Sequence, residues 1–446
     1  FGTLPSEVID RAKTCLLDAV GVGIAGTLSK AGRLAIDYGL SAFKEGPASL
    51  YGSHHSLNLE GAAWTNAVLV SALDMDDGHR ESVGGGRADN VSGHAAGHPA
   101  AVVIPAAVGA AQTARASGQE LLTAIVVAYE VSIRLAAARN PAIVLSNATG
   151  NWGAFAAAIA TAIIQKLEME RVTEMLGIAA AFGPNPPLSR DLSYMPMLKE
   201  SIGWSCLTGV GAAELARRDF TGKDRILDNQ GQFDPAMFAD LGETHIILNG
   251  YFKPHSACRM THAPIDCAVE LIRTKKFPLG DIKSIIVITS LKGTHLRDPK
   301  PQTLETAQYS IPFLVGVALR FGAVNPHTFH EGMLKDREVL DIAGKVRLEV
   351  DESQKADPGK EITFPIKSSG EIEIITEDDT FRLRIEDPKG DPLNPMKSEE
   401  ILEKFHNNTK KVLGQDKSER LFSFLSGVDV KPHLDALAPL LTPLEP

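Results

Sequence analysis

Apolar residues recur at helical spacing along most of the first 250 positions. Val8, Ile9, Ala12, Leu16, Ala19 and Val20 follow Pro5-Ser6-Glu7, a segment with the composition of a helix start. The same period runs through 61–73, 100–116, 119–138, 153–167, 171–182 and 207–217, punctuated by Asp, Asn, Gly and Pro. Many inward positions are Ala or Gly, so these helices can approach closely. After about residue 277 the period changes. Segments 283–289, 346–350, 371–376 and 381–385 are β-branched or alternate polar with apolar, and Asp378-Asp379-Thr380 predicts a hairpin turn between the last two. Helical spacing returns at 310–320, 336–343, 398–413 and 418–425. The pattern predicts a mainly α protein with a smaller α+β part.

Length and charge then narrow the class. A chain of 446 residues can hold two sizeable cores. A net charge of −10 argues against nucleic acid or an anionic membrane as partner, though a local cationic pocket could still bind a small anion. Apolar runs such as Ala100–Ala111, interrupted by Pro105, fall short of the ~20 residues of a membrane span. Cys15, Cys206, Cys258 and Cys267 are scattered without a CxxC, which predicts neither a disulfide frame nor an iron–sulfur cluster. The expected compartment is the cytoplasm, or an organellar matrix if a targeting segment precedes Phe1.

The candidate chemistry is concentrated in a few blocks. Lys253-Pro-His-Ser-Ala-Cys-Arg-Met-Thr-His262 packs two cations, a thiol and two imidazoles into ten residues. Lys and Arg clamp carboxylates and His moves protons, although a solvated turn would have the same composition. Asp74-Met75-Asp76-Asp77-Gly78-His79 closes an apolar helix with three carboxylates that repel one another and oppose the helix dipole. It reads as a proton acceptor or pocket organiser, with a cation held by Asp76, Asp77 and His79 as the alternative. Gly97-His98-Pro99 opens the Ala100 helix, where free N–H groups suit an anion and a capping histidine is the plainer reading. Lys199 lies in an apolar context that asks for an anionic partner, and Tyr309 precedes an apolar helix. Gly21-Val22-Gly23-Ile24-Ala25-Gly26 fits GxGxxG, but helical spacing precedes it where a nucleotide fold needs a strand. Close packing at a helix end is the better reading.

Taken in order, Leu17-Asp18-Ala19-Val20-Gly21, Asp74-Met75-Asp76-Asp77, Gly97-His98-Pro99, Lys253…Cys258-Arg259…His262-Ala263-Pro264-Ile265-Asp266 and Gln308-Tyr309-Ser310 resemble the MmgE/PrpD family over essentially the whole chain. That family includes 2-methylcitrate dehydratase, cis-aconitate decarboxylase and iminodisuccinate epimerase. The resemblance implies a large all-helical domain built from 1–262 and 398–446, and a smaller α+β lid domain at 263–397. It also implies a homodimer and a site between the domains that uses no cofactor and no metal. By position, Asp74, His98, Lys199, Lys253, Cys258, His262 and Tyr309 would line that site. Asn147 stands where the family often has a histidine, and an amide can orient a substrate but cannot shuttle a proton. The stretch from His79 to His98, with Gly84-Gly85-Gly86, is longer than is usual in the family and suggests a changed pocket wall. The expected function is a cofactor-independent lyase for a small di- or tricarboxylate. A 2-methylcitrate dehydratase-like hydro-lyase comes first, on the Met-Leu-Lys-Glu context of Lys199. Aconitate-type decarboxylation and epimerisation are alternatives in the same scaffold, and a non-catalytic carboxylate-binding or scaffold member is the alternative of another class. His98 and Tyr309 are assigned to proton transfer with Asp74 holding them and Lys199 stabilising charge. Lys253, Arg259, His262, Cys258 and Asn147 are assigned to substrate binding.

Overall fold

The computed structural model describes residues 1–79, 97–140, 148–185, 195–222, 225–275, 277–354 and 369–444. In its first part the chain forms α1 (Ser6–Gly26), α2 (Lys30–Ala42), a two-stranded ribbon of β1 (Glu45–Ser49) and β2 (Ser56–Leu57), α3 (Leu59–Ser71), α4 (Ala100–Ala114), α5 (Gly118–Ala138), α6 (Gly150–Gln165), α7 (Met169–Phe182) and α8 (Ile202–Ala216). The second part contains α9 (His262–Lys275), β3 (Ser284–Thr289), α10 (Leu304–Ala307), α11 (Ile311–Phe321), α12 (Arg337–Ala343), β4 (Val346–Val350), β5 (Gly370–Ile375) and β6 (Thr380–Ile385). The chain ends in α13 (Ser398–Leu413), α14 (Gln415–Ser426) and α15 (Ala438–Leu441).

The fold is mainly α. One hydrophobic core is shared by α1, α3 to α8, α13 and α14; a second lies under the sheet, among α9, α11, α12, β3 and β5. The sheet order is β4-β3-β5-β6, with β3 and β4 parallel and the other pairs antiparallel. β5 buries Gly370, Ile372 and Ile374 on one face, as its alternation predicts. The hairpin from β5 to β6 pairs Ile375 with Thr380 across the expected turn.

Three features depart from the pattern-based expectation. The helical part is not purely helical, because Gly46-Pro47 and Gly52 favour the β1–β2 ribbon over helix. Helix α2 was missed, since its thirteen residues bury only Ala31, Gly32, Ala35 and Gly39, too small to make an apolar stripe. Among the described residues, 217–261 holds only short 3-10 turns, at Ile226–Asp228, Pro235–Phe238, Ile246–Asn249 and Arg259–Thr261. Gly222, Gly231, Gly242, Gly250 and Pro235 account for that break. In addition, α5 is apolar and long enough to cross a membrane, yet it is a core helix burying Glu130 and Arg134.

The GxGxxG segment lies wholly within α1 and serves close packing. A Cβ on Gly21 would meet the Phe405 ring of α13 at 3.0 Å, and one on Gly26 would lie 2.1 Å from the Leu69 carbonyl oxygen of α3. These contacts seat α1 between α3 and the returning α13.

Candidate active site

The chain beyond α3 carries Leu73-Asp74-Met75-Asp76 in alternation. Leu73 and Met75 enter the second core, burial that stabilises by about 1.5–3 kcal/mol each. The carboxylates of Asp74 and Asp76 therefore gather in the polar cluster beside it. Asp74 takes φ 52°, a left-handed conformation that only glycine, Asn and Asp adopt easily. Gly78 and Tyr251 then exchange backbone hydrogen bonds of 3.0 and 2.9 Å, and His79 and Gly97 exchange bonds of 3.1 and 3.2 Å. These two bridges draw Lys253 and His98 to the carboxylates. Gly78 is required there, since a Cβ would fall 2.3 Å from the Tyr251 hydroxyl.

Asp74 is buried between two ammonium groups. Lys253 bonds its Oδ1, and Lys199 Nζ lies 3.2 Å from its Oδ2. Burial alone would raise the Asp74 pKa, but Lys199, Lys253 and His98 outweigh it and hold the carboxyl well below its usual range. Lys199 is almost saturated, donating also to the Ser71 carbonyl at 3.2 Å and to Gln308 Oε1 at 2.6 Å. It is placed by a strained turn, with φ 48° at Lys199 and 61° at Ser201, just before α8. Lys253 has Asp76 Oδ1 at 3.9 Å as a second partner; burial opposes its charge, and the two aspartates more than restore it.

His98 has two distinct faces. Nδ1 lies 3.0 Å from Asp76 Oδ2, while Nε2 faces Asp74 Oδ1 at 3.9 Å and Glu200 Oε1 at 3.8 Å. Burial would lower its pKa, yet Asp76 and Glu200 raise it above the ordinary histidine value despite Lys253. These carboxylates favour the protonated ring, and with Nδ1 pinned on Asp76 it is Nε2 that is left for chemistry. The His98 and Glu200 side chains, 15% and 18% exposed, form the open edge of a cluster in which Asp74, Asp76 and Lys253 show 1% or less. Tyr309 closes another wall, its ring centroid 5.8 Å from Lys199 Nζ. Burial first, then Asp74, pushes its hydroxyl well above the usual value, so it is a neutral donor.

The third carboxylate is diverted. Asp77 accepts from the Ala100 N–H at 3.1 Å and the Tyr129 hydroxyl at 2.7 Å, and so caps α4. Burial raises its pKa to about 7. The start of α4, where an anion was expected, is thus taken by the carboxyl group of Asp77 itself. The cation set Asp76, Asp77 and His79 is accordingly not assembled. The described residues bring together Asp74, Asp76 and His98 instead, with ligand atoms within 4.8 Å. Lys199 and Lys253 already neutralise the Asp74 oxygens, and a cation would have to displace them.

Family models for the MmgE/PrpD N-terminal domain and the MmgE/PrpD C-terminal domain match residues 1–243 and 255–425. The chain belongs to the MmgE/PrpD family. Its curated relatives include the cis-aconitate decarboxylase of Homo sapiens, 25% identical over 99% of this chain and 91% of that protein. The cis-aconitate decarboxylase of Mus musculus is 25% identical over 98% and 90%, and one from Aspergillus terreus is 22% identical over 99% and 94%.

Of the residues that the MmgE/PrpD resemblance nominates, Asp74, His98, Lys199, Lys253 and Tyr309 form one cluster. Cys258 is joined to it through its backbone, its N–H donating to the Gln308 carbonyl at 2.9 Å. Arg259 is buried, pairs with Asp391 and lies 5.3 Å from the Tyr251 ring centroid. His262 is fully buried, its Nε2 3.0 Å from the Ala257 carbonyl, and burial followed by His255 and Arg259 lowers its pKa well below normal. Asn147 and the glycine run 84–86 lie outside the described residues.

The sequence reading missed four partners. Asp76 was read as part of an acidic run and as a candidate cation ligand with Asp77 and His79, not as the partner of His98. Gln308 bridges Lys199 to the Ala72 carbonyl, donating at 2.9 Å. Glu200 accepts from the Thr149 N–H at 2.6 Å and its hydroxyl at 2.7 Å, and that same hydroxyl accepts from the His98 N–H at 3.0 Å. Lys404 of α13 pairs with Asp18 of α1. Lys404 did leave a signal, because it shares the buried stripe Ile401, Phe405 and Asn408 at helical spacing.

Proposed function

We propose that the protein is a lyase for a small di- or tricarboxylate and that its reaction is decarboxylation of a cis-aconitate-like acid. The observation that carries this reading is the placement of His98: Nδ1 lies 3.0 Å from Asp76, and Nε2, at the open edge, faces Asp74 and Glu200, carboxylates that favour the protonated ring. Loss of carbon dioxide breaks a carbon–carbon bond and leaves the electron pair on carbon, delocalised toward a neighbouring carboxylate. The buried ammonium groups of Lys199 and Lys253 stabilise that charge in a setting where it counts most. His98 Nε2 then supplies the proton that completes the new C–H bond, with the Tyr309 phenol as the second donor. Cis-aconitate decarboxylases among the curated relatives support the choice of substrate. In this reading the unit at 263–397 is a lid over the helical part, and Arg259 and His262 buttress the Lys253 loop.

Dehydration of a 2-methylcitrate-like acid is the second reading, favoured by the Met-Leu-Lys-Glu context of Lys199. It requires His98 or Tyr309 to give up a proton before abstracting one. Incubation with cis-aconitate, citrate, 2-methylcitrate and iminodisuccinate in deuterated water, followed by NMR, separates the readings. Decarboxylation gives carbon dioxide and one deuterium on the product carbon, dehydration an alkene without carbon loss, and epimerisation deuterium in unchanged acid. If none of the four acids turns over or exchanges, the lyase reading fails for this substrate class and a non-catalytic carboxylate-binding role takes its place.

A further inference from the structure

Lys404 and Asp18 are buried ionisable groups that take no part in the chemistry above; burial raises the Asp18 pKa and lowers that of Lys404, against their mutual attraction. Lys404 Nζ pairs with Asp18 of α1 and also donates to the Met75 carbonyl at 2.8 Å. That carbonyl belongs to the residue between Asp74 and Asp76. The segment has already left α3 and is held by two cross-chain bridges only from Gly78 onward. Over Asp74–Asp77, Lys404 is thus a side-chain donor that reaches the backbone from another element. Burying an ammonium is costly, and an apolar residue would suffice if α13 only had to pack on α1.

We propose that Lys404, charge-balanced by Asp18, is a positioning residue that fixes the turn carrying Asp74 and Asp76, and through Asp76 the orientation and charge of His98. The returning helix α13 is thereby part of the active site although it contributes no group to its open edge. The inference is independent of which acid is turned over, and its test uses the free protein.

The groups facing His98 are Asp74, Asp76 and Glu200, with Lys253 opposing them. Lys404 is faced by Asp18 from α1, by Asp76 and by Lys253. The variant is Lys404→Met combined with Asp18→Asn, which leaves no unpaired buried charge. The readout is the His98 ring titration, followed by NMR of imidazole carbons and assigned with His98→Gln. Removing the Met75 tether lets Asp76 retreat from Nδ1, so the His98 midpoint should fall by about one pH unit or more in the double variant. Asp18→Asn alone, which keeps the donor to Met75, should leave the midpoint within a few tenths of a unit. A folded double variant with an unchanged midpoint overturns the proposal, as does an equal fall in Asp18→Asn alone. If the methionine pair does not fold, Lys404→Gln with Asp18→Asn, too short to reach Met75, is titrated against the same two criteria. Absence of lyase activity in the parent protein would count against the proposed function and leave this result intact.

Discussion

Asp74→Asn isolates the charge that two buried lysines share. Asn is isosteric and tolerates the left-handed φ of 52°, so the backbone should stay in place. The loss is electrostatic: Lys253 keeps Asp76 at 3.9 Å, and Lys199 keeps the neutral acceptors Ser71 and Gln308. Removing one partner of a buried ion pair costs about 3–5 kcal/mol. The retained partners place this case at the low end, about 3 kcal/mol, a sizeable part of the ~5–15 kcal/mol that keeps a protein folded. Urea unfolding at pH 7 measures it as a lower midpoint at unchanged slope. The sign with pH is fixed. A carboxyl whose folded pKa is depressed contributes stability above its unfolded value of about 3.9, and that contribution is lost as pH falls through the folded value. The gap between parent and variant should therefore close below about pH 4. Asp74→Ala should be weaker again by about 1–2 kcal/mol, because alanine resists that φ. A deficit under about 1 kcal/mol at pH 7, or one that does not shrink on acidification, would refute the account of Asp74 as the shared counter-charge.

Three further outcomes are expected. Because His98 must be protonated and its folded pKa is raised, kcat should fall as pH rises, with a midpoint above the ordinary ~6.5; a pH–rate profile with Asp76→Asn should move that limb down. Asp77 has a folded pKa of about 7, so the native state holds its proton where the unfolded chain has lost it, and stability falls as pH rises from about 4 to 7; Asp77→Asn should flatten that part of a pH–stability curve. Gly78→Ala drives a methyl into the Tyr251 hydroxyl, so it should break the bridge to Tyr251 and lower kcat by at least ~100-fold, the scale of a misplaced catalytic group, in a steady-state assay.

The sequence was most readable where one period persists. The strands at 346–350 and 381–385 and the helix at 398–413 were legible to within a residue because alternation or an apolar stripe covers each of them. Helix α2 and the 217–261 region were not, because small buried residues and irregular backbone write no period. In the site, Lys199 stood out as a cation in an apolar context and Asp74, His98 and Lys253 as members of polar blocks, while the MmgE/PrpD resemblance gathered them with Tyr309 into one set. Their arrangement could not, since it depends on backbone bridges such as Gly78–Tyr251 and on partners far along the chain. The acidic run shows the limit well. Three aspartates that look alike in sequence become a lysine counter-charge, a histidine partner and a helix cap, and only the alternation with Leu73 and Met75 separates the first two from their neighbours.

The contact from Lys404 to the Met75 carbonyl spans 329 positions of chain. At ~5–20 residues per second of synthesis, roughly 16–66 seconds separate the emergence of the two ends. Throughout that interval Asp18 lacks its cation and the Met75 carbonyl lacks its donor, so water must serve both groups until α13 arrives. A turn that holds active-site carboxylates thus depends on a helix made long after it, and its backbone contact to Lys404 can form only once α13 has been synthesised.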